Sequence, residues 1–204
     1  MNRLPRLVGL PAVALVSAFL LAACGGGGDS GSSTSSTTSG NTTSTTPGDT
    51  PVESVVLAPE ASCNIAGFAQ AMLDALNQAR ATGRNCGTAY YPAVAPLAWN
   101  TLLAQAAAGH STDMANNNYF SHTSLDGRSA KDRIDATGYL GSYWGENIAG
   151  GPADVDAVMS GWLASPGHCA NMMNSAYKDF GAACAYNASS TYGEYWTQDF
   201  AAPR

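Results

Sequence analysis

Three short islands hold the residues of this chain that could do chemistry: Phe120-Ser121-His122-Thr123, Gly145-Glu146-Asn147-Ile148-Ala149 and Ser165-Pro166-Gly167-His168. The chain has three histidines in all, and two of them stand in loop-like, Gly-, Pro- and Ser-rich surroundings on either side of a Glu-Asn pair. Imidazole and carboxylate offer lone pairs near neutral pH, so convergent His and Glu suit a divalent-metal site or general acid–base work. In the metal reading His122 and His168 bind zinc or another divalent cation. Glu146 is then a third ligand, or stays off the metal and orients or deprotonates a bound water. In the scaffold reading Glu146 and Asn147 satisfy loop backbone groups beneath the two imidazoles. No Gly-rich phosphate loop and no G-x-S-x-G elbow is present.

Around the islands runs an ordered series of further words: Leu76-Asn77-Gln78-Ala79-Arg80, Leu97-Ala98-Trp99-Asn100, His110-Ser111-Thr112-Asp113-Met114 and Tyr195-Trp196-Thr197-Gln198. In this order, from about Phe68 to Phe200, they resemble the CAP superfamily of cysteine-rich secretory, antigen 5 and pathogenesis-related proteins, and within it the bacterial SCP-like branch. The resemblance implies a three-layer α-β-α sandwich, and a cleft that in eukaryotic relatives holds two His and two Glu. His122 and Glu146 match two of the four. The second Glu corresponds to Ser165, three residues after Trp162, and the second His to Tyr195. His168, three residues past Ser165, is placed to enter the same cleft. The expected cleft set is therefore His122, Glu146, His168 and Tyr195, with Glu146 the catalytic residue should the protein be a hydrolase.

The ends of the chain speak to export. Arg3 and Arg6 precede an apolar run from Leu7 to Leu20, broken by Pro11 and short for a membrane span. Leu21-Ala22-Ala23-Cys24 then resembles a bacterial lipobox, which implies a signal peptide over 1–23 and a lipidated Cys24. Gly25 in place of Asp after that cysteine resembles an outer-membrane sorting signal of a Gram-negative cell. Residues 24–60, rich in Gly, Ser and Thr, bury too little apolar surface to fold. They read as a tether whose root-mean-square span is roughly 30–35 Å, holding the 61–204 domain off a membrane. With Arg3 and Arg6 removed, seven basic residues face fifteen acidic ones, a balance of about −8. That argues against nucleic acid or an anionic membrane as the main ligand.

The remaining cysteines, Cys63, Cys86, Cys169 and Cys184, form an even set compatible with three pairings. Local bridges Cys63–Cys86 and Cys169–Cys184 are expected, the second tying the His168 loop to the strand after it. A Cys/His zinc knuckle is the rival, against which stands the lack of C-x2-C spacing.

The elements that must position these residues are an α+β set. Apolar spacing predicts a helix over 65–81 and, capped by Asn100, a second to about Asn117, with His110 on its buried stripe. A short helix is expected over 129–136, an extended segment over 143–148, and a helix capped by Asp154 and stopped by Pro166. Two strands, 180–186 and 192–200, flank a turn. Tyr143 and Trp144 read as cleft walls, Trp99 and Trp162 as core. The expected function is binding of an envelope or extracellular ligand, either a lipid- or sterol-like amphiphile or a peptide. The alternatives are a metal-assisted hydrolase of peptide or cell-envelope material, and an adhesion or host-interaction module with a protein partner.

Overall fold

The computed structural model describes Leu57 and residues 61–204. The signal segment, Cys24 and the tether other than Leu57 lie outside the described residues. Helix α1 (Phe68–Arg80) is followed by a ribbon of β1 (Arg84–Cys86) and β2 (Ala89–Tyr91), then by β3 (Ala98–Trp99) and α2 (Thr101–Asn117). Next come α3 (Ala130–Ala136), β4 (Gly141–Gly150), α4 (Val155–Ala164), α5 (Pro166–Met172), β5 (Asp179–Tyr186) and β6 (Glu194–Pro203). The main sheet has the order β3-β5-β6-β4, antiparallel but for the short parallel β3–β5 pair.

The sheet is the middle layer of an α-β-α sandwich. On one face Phe68, Met72 and Leu76 of α1 and Val158 and Trp162 of α4 pack with Phe180, Trp196 and Phe200. On the other, α2 and α3 bring Leu103, Ala106 and Ile134 onto Ala201, and Met114 and Ala115 onto Ile148, Ala185 and Tyr195. Strands covered on both sides read as near-continuous apolar runs, which β5 shows from Phe180 to Ala185, whereas β6 is equally buried but carries Thr197, Gln198 and Asp199 in its middle. Gly181 sets how close α2 can come: a Cβ there would lie 2.1 Å from the Ala104 nitrogen.

Local capping explains where the site-bearing helices begin. The Asn100 side chain accepts from the Leu102 and Leu103 amides, Ser129 and Asp132 form a capping box, and Asp154 accepts from the Ala157 amide. Pro166 ends α4 as expected. The segment expected as a loop after it is instead helix α5, because proline is well tolerated in a first helical turn, where its missing N–H costs no bond. His168 therefore stands in the first turn of a helix.

The disulfide expectation is overturned. Cys63–Cys86 and Cys169–Cys184 do not form; the bridges are Cys63–Cys184 and Cys86–Cys169, with sequence separations of 121 and 83 residues. The segment before α1 runs beside β5, with the Cys63 amide donating to the Cys184 carbonyl at 3.0 Å. The β1–β2 ribbon lies over α5, where Cys86 and Cys169 are buried together with Met173. Cα separations of 5.2 and 5.4 Å suit a disulfide in both places. The second bridge still steadies the helix that carries His168, from a different side than expected.

Candidate functional site

Successive residues of a strand point to opposite faces, and in β4 this splits the Glu-Asn pair. Glu146 faces the α2–α3 side. Its Oε1 lies 2.7 Å from His122 Nδ1, and its Oε2 accepts from Arg133 Nη2 at 2.5 Å. The Glu146 and Arg133 side chains are only 3% and 4% exposed, whereas His122 is 56% exposed. With Nδ1 turned inward to the carboxylate, His122 presents Nε2 outward. Arg133 holds the rest of the loop: its Nη1 donates to the carbonyls of His122 and Arg128 at 3.1 Å and to Ser124 Oγ at 3.0 Å.

His110 is buried on α2, and its Nε2 donates to the Ser121 carbonyl at 2.9 Å. Burial is the main cause lowering its proton affinity below the ordinary histidine value, ahead of the opposing pull of Glu146. A neutral imidazole with its proton on Nε2 satisfies that geometry. His110 thus positions the residue next to His122 and does not reach the cleft itself.

Asn147 faces the other side. Its Nδ2 donates to Gln198 Oε1 at 3.1 Å and to the His168 carbonyl at 3.2 Å, while Asn171 Nδ2 donates back to Asn147 Oδ1 at 3.0 Å. These bonds fix α5 against β4. His168 is thereby brought near His122: its proton affinity is lowered first by burial and then by the charge His122 can carry. The structure places His122, Glu146 and His168 in one region at the edge strand. Tyr195, expected in the cleft, is wholly buried among Met114, Ile148 and Ala185, and its hydroxyl donates to Asn118 Oδ1 at 3.3 Å. The strand pleat turns it toward α2, so it supports the wall from behind.

Gly145 precedes Glu146 for a steric reason. A Cβ there would stand 2.2 Å from the Tyr177 hydroxyl, which donates to the Trp144 carbonyl at 3.2 Å. The other sequence words resolve into similar ties. Asn77 exchanges two bonds with the Leu97 backbone, and buried Arg80 donates to the carbonyls of Ala95, Met172 and Asn174. Ser111 Oγ donates to Thr197 Oγ1 at 2.8 Å. Exposed aromatic surface flanks the site: Phe120 meets Tyr192 with ring centroids 5.4 Å apart, and Lys131 lies 5.5 Å from the exposed Trp144 ring. Trp162, expected in the core, is buried there.

Among the described residues no group of three or more His, Cys, Asp and Glu could hold a metal ion. Glu146 has both oxygens engaged, which leaves two imidazoles where a catalytic zinc site uses three protein ligands. The donor set does not fit a resident zinc. One residue of the site went unread in the sequence, Arg133, whose signal was a cation beside Ile134 in a short amphipathic helix.

The fold and this Glu-Asn site define a CAP-type domain. The family model for the cysteine-rich secretory protein family, CAP, matches residues 73–200, more than half of the chain. The chain belongs to that family. It is 39% identical over 107 residues to the uncharacterised membrane protein YlbC of Bacillus subtilis, covering 52% of this chain and 29% of that protein. It is 34% identical over 105 residues to the uncharacterised protein YkwD of the same organism, covering 52% and 39%. The chain thus spans well under half the length of these curated relatives. Among solved structures, an extracellular protein of Bacillus anthracis containing an SCP domain superposes with a TM-score of 0.54 at 30% identity, over 72% of this chain and 45% of that one. An outer surface protein of Borrelia burgdorferi shares the fold at a TM-score of 0.50 and 20% identity, over 54% and 80%.

Proposed function

We propose that this protein is an exported, lipid-tethered CAP domain that binds an amphiphilic ligand at the rim formed by His122 and His168, without turnover of its own. The observation that carries the reading is the double engagement of Glu146, by His122 at 2.7 Å and Arg133 at 2.5 Å. A carboxylate so neutralised is an orienting group, not a free base, and the functional atoms left facing solvent belong to imidazole. Beside them stand the exposed rings of Phe120, Trp144 and Tyr192, so polar and apolar contacts lie side by side, as a ligand with a polar head and an apolar body requires. Export and tethering are supported by the leader and the Leu-Ala-Ala-Cys word, and by the extracellular and membrane descriptions of two relatives. A hydrolase is the second reading, since a carboxylate that fixes an outward imidazole is also half of a general-base arrangement.

Titrating the purified protein with a sterol sulfate and with a lysophospholipid, read by tryptophan fluorescence, tests the first reading. Saturable quenching that is weakened in both His122→Ala and Trp144→Ala supports it; a response unchanged in both variants sinks it. Release of products from a peptide or peptidoglycan substrate, lost in His122→Ala, would favour the second.

A further inference from the structure

Behind Glu146 lies a carboxyl group that none of the foregoing uses. In the β4–β6 register Asp199 is directly opposite Glu146, and cross-strand partners of this kind point to one face with Cβ atoms about 4.5–5.5 Å apart. Asp199 is 1% exposed, and neither of its oxygens has a hydrogen-bond partner. The Arg133 Nε–H is buried and equally unpartnered, although both Nη atoms of that guanidinium are taken. One cation thus pairs with the first buried carboxyl and acts electrostatically on the second, with a spare donor on the cation and spare acceptors on the second carboxyl. Opposite Asp199 on β5 stands Gly181, without a side chain, and on the α2 side the buried His110, whose proton affinity burial lowers, senses Glu146, Arg133 and Asp113. Burial first, and Glu146 second, push the Asp199 carboxyl well above the usual range, with Arg133 pulling the other way.

We propose that Asp199 is a positioning residue of the site: it competes with Glu146 for the Arg133 guanidinium, and its ionisation decides how fully Glu146 is neutralised behind His122. With Asp199 protonated, Glu146 is the one carboxylate that Arg133 serves. When Asp199 loses its proton to solvent, Nε–H turns to it, the guanidinium is shared, and the less compensated Glu146 carboxylate makes His122 the stronger base. The device works whatever the cleft binds, so it does not depend on the proposed ligand.

The test is NMR titration of the isotopically labelled exported protein across the pH range in which it stays folded, following the Asp199 carboxyl carbon, the Arg133 Nε–H and the His122 ring. The expected result is one midpoint for Asp199 well above that of an ordinary aspartate, the same midpoint in the Arg133 Nε–H shift, and a second inflection there in His122. In Asp199→Asn, which mimics the protonated form, the Arg133 step and the second His122 inflection should vanish. If that variant does not fold, the wild-type curves decide alone. An Asp199 that titrates near the ordinary value, that stays protonated throughout, or whose midpoint Arg133 does not follow overturns the proposal.

Discussion

Glu146 and Asn147 are neighbours in one strand and work on opposite sides of the sheet: Glu146 anchors the His122 loop through Arg133, and Asn147 anchors the helix that carries His168. Two imidazoles from segments far apart in the chain are thereby referred to a single rigid dipeptide. A backbone shift at this point of β4 would move both together.

That arrangement ranks the cost of substitutions. Glu146→Ala leaves the buried Arg133 guanidinium without its carboxylate, and removing one partner of a buried pair costs about 3–5 kcal/mol. His122→Ala removes an exposed partner and should cost no more than ~1 kcal/mol. Urea unfolding of the two variants is expected to show this order. Equal losses would mean that the carboxylate is not held as described.

Acid stability follows from the histidines. His110 and His168 both hold protons less tightly when folded than the ordinary value of 6.5. As pH falls through 6.5 the unfolded chain takes up protons first, so stability is full above that point and declines below it until the folded imidazoles are themselves charged. Asp199 acts in the opposite sense: its raised affinity favours the folded state at low pH, and that contribution is lost as pH rises from 3.8 toward its folded value. Melting temperatures measured from pH 4 to 8 (on the order of the histidine and carboxyl ranges) should therefore show a shallower acid limb for His110→Gln. For Asp199→Asn they should show a neutral-pH value at or above wild type. A steeper acid limb for His110→Gln would contradict the neutral imidazole.

The parts legible in the sequence are those set by local chemistry. Asn100, Ser129 and Asp154 start helices because their side chains bond amides two or three residues on, and the apolar run Phe180–Ala185 of β5 reports burial on both faces. What was not legible depends on distant partners. The β1–β2 ribbon and β3 are two or three residues long and exist through pairing alone. Nothing near Cys63 or Cys169 along the chain indicates that each meets a cysteine so far away, 121 and 83 residues distant. Arg133 and Asp199 look like ordinary surface charges until the α3 packing and the β4–β6 register bury them. Tyr195 aligned with a cleft residue of relatives, but the pleat directs its side chain into the α2 layer.

The two bridges are nested, Cys86–Cys169 inside Cys63–Cys184, and both close long loops. In the chain-entropy model a loop of about 100 residues is worth about 4.7 kcal/mol. Peptide mapping without reductant should find these two pairs and no others. Replacing Cys86 and Cys169 together by Ser should lower stability by several kcal/mol, about 3–5, and raise hydrogen exchange in α5 more than in α1. A Cys63–Cys86 peptide would refute the pairing.

For the anchor, Cys24→Ser is expected to move the protein from the membrane fraction to the soluble one, or to leave the precursor uncleaved. Attachment by two or more acyl chains is stable where one chain is marginal, so wild type should resist a high-salt wash. A variant that fractionates and matures as wild type does would rule out lipidation at that residue.

The last expectation concerns the free side of β4. An edge strand exposes unpaired backbone groups on which other chains can add, and β4 is the edge of its sheet. Three of its carbonyls, spaced two apart and so on one edge, accept side-chain donors: Trp144 from Tyr177 Oη, Glu146 from Asn171 Nδ2 and Ile148 from Trp162 Nε1, at 3.1–3.2 Å. Side chains of α4, α5 and the segment before β5 therefore stand in for a neighbouring strand along the stretch that carries the site. Trp162→Phe keeps most of the buried ring and leaves the Ile148 carbonyl without its donor, a loss of about 1–3 kcal/mol. Asn171→Ala should disturb function more for a similar cost, because it also releases Asn147 and with it the seat of His168. Hydrogen exchange across β4 and concentration-dependent light scattering would separate the two: faster exchange and self-association are expected for Trp162→Phe, while for Asn171→Ala weakened ligand response at the His168 side is expected as well. If neither variant changes exchange in β4, these side chains do not protect the edge.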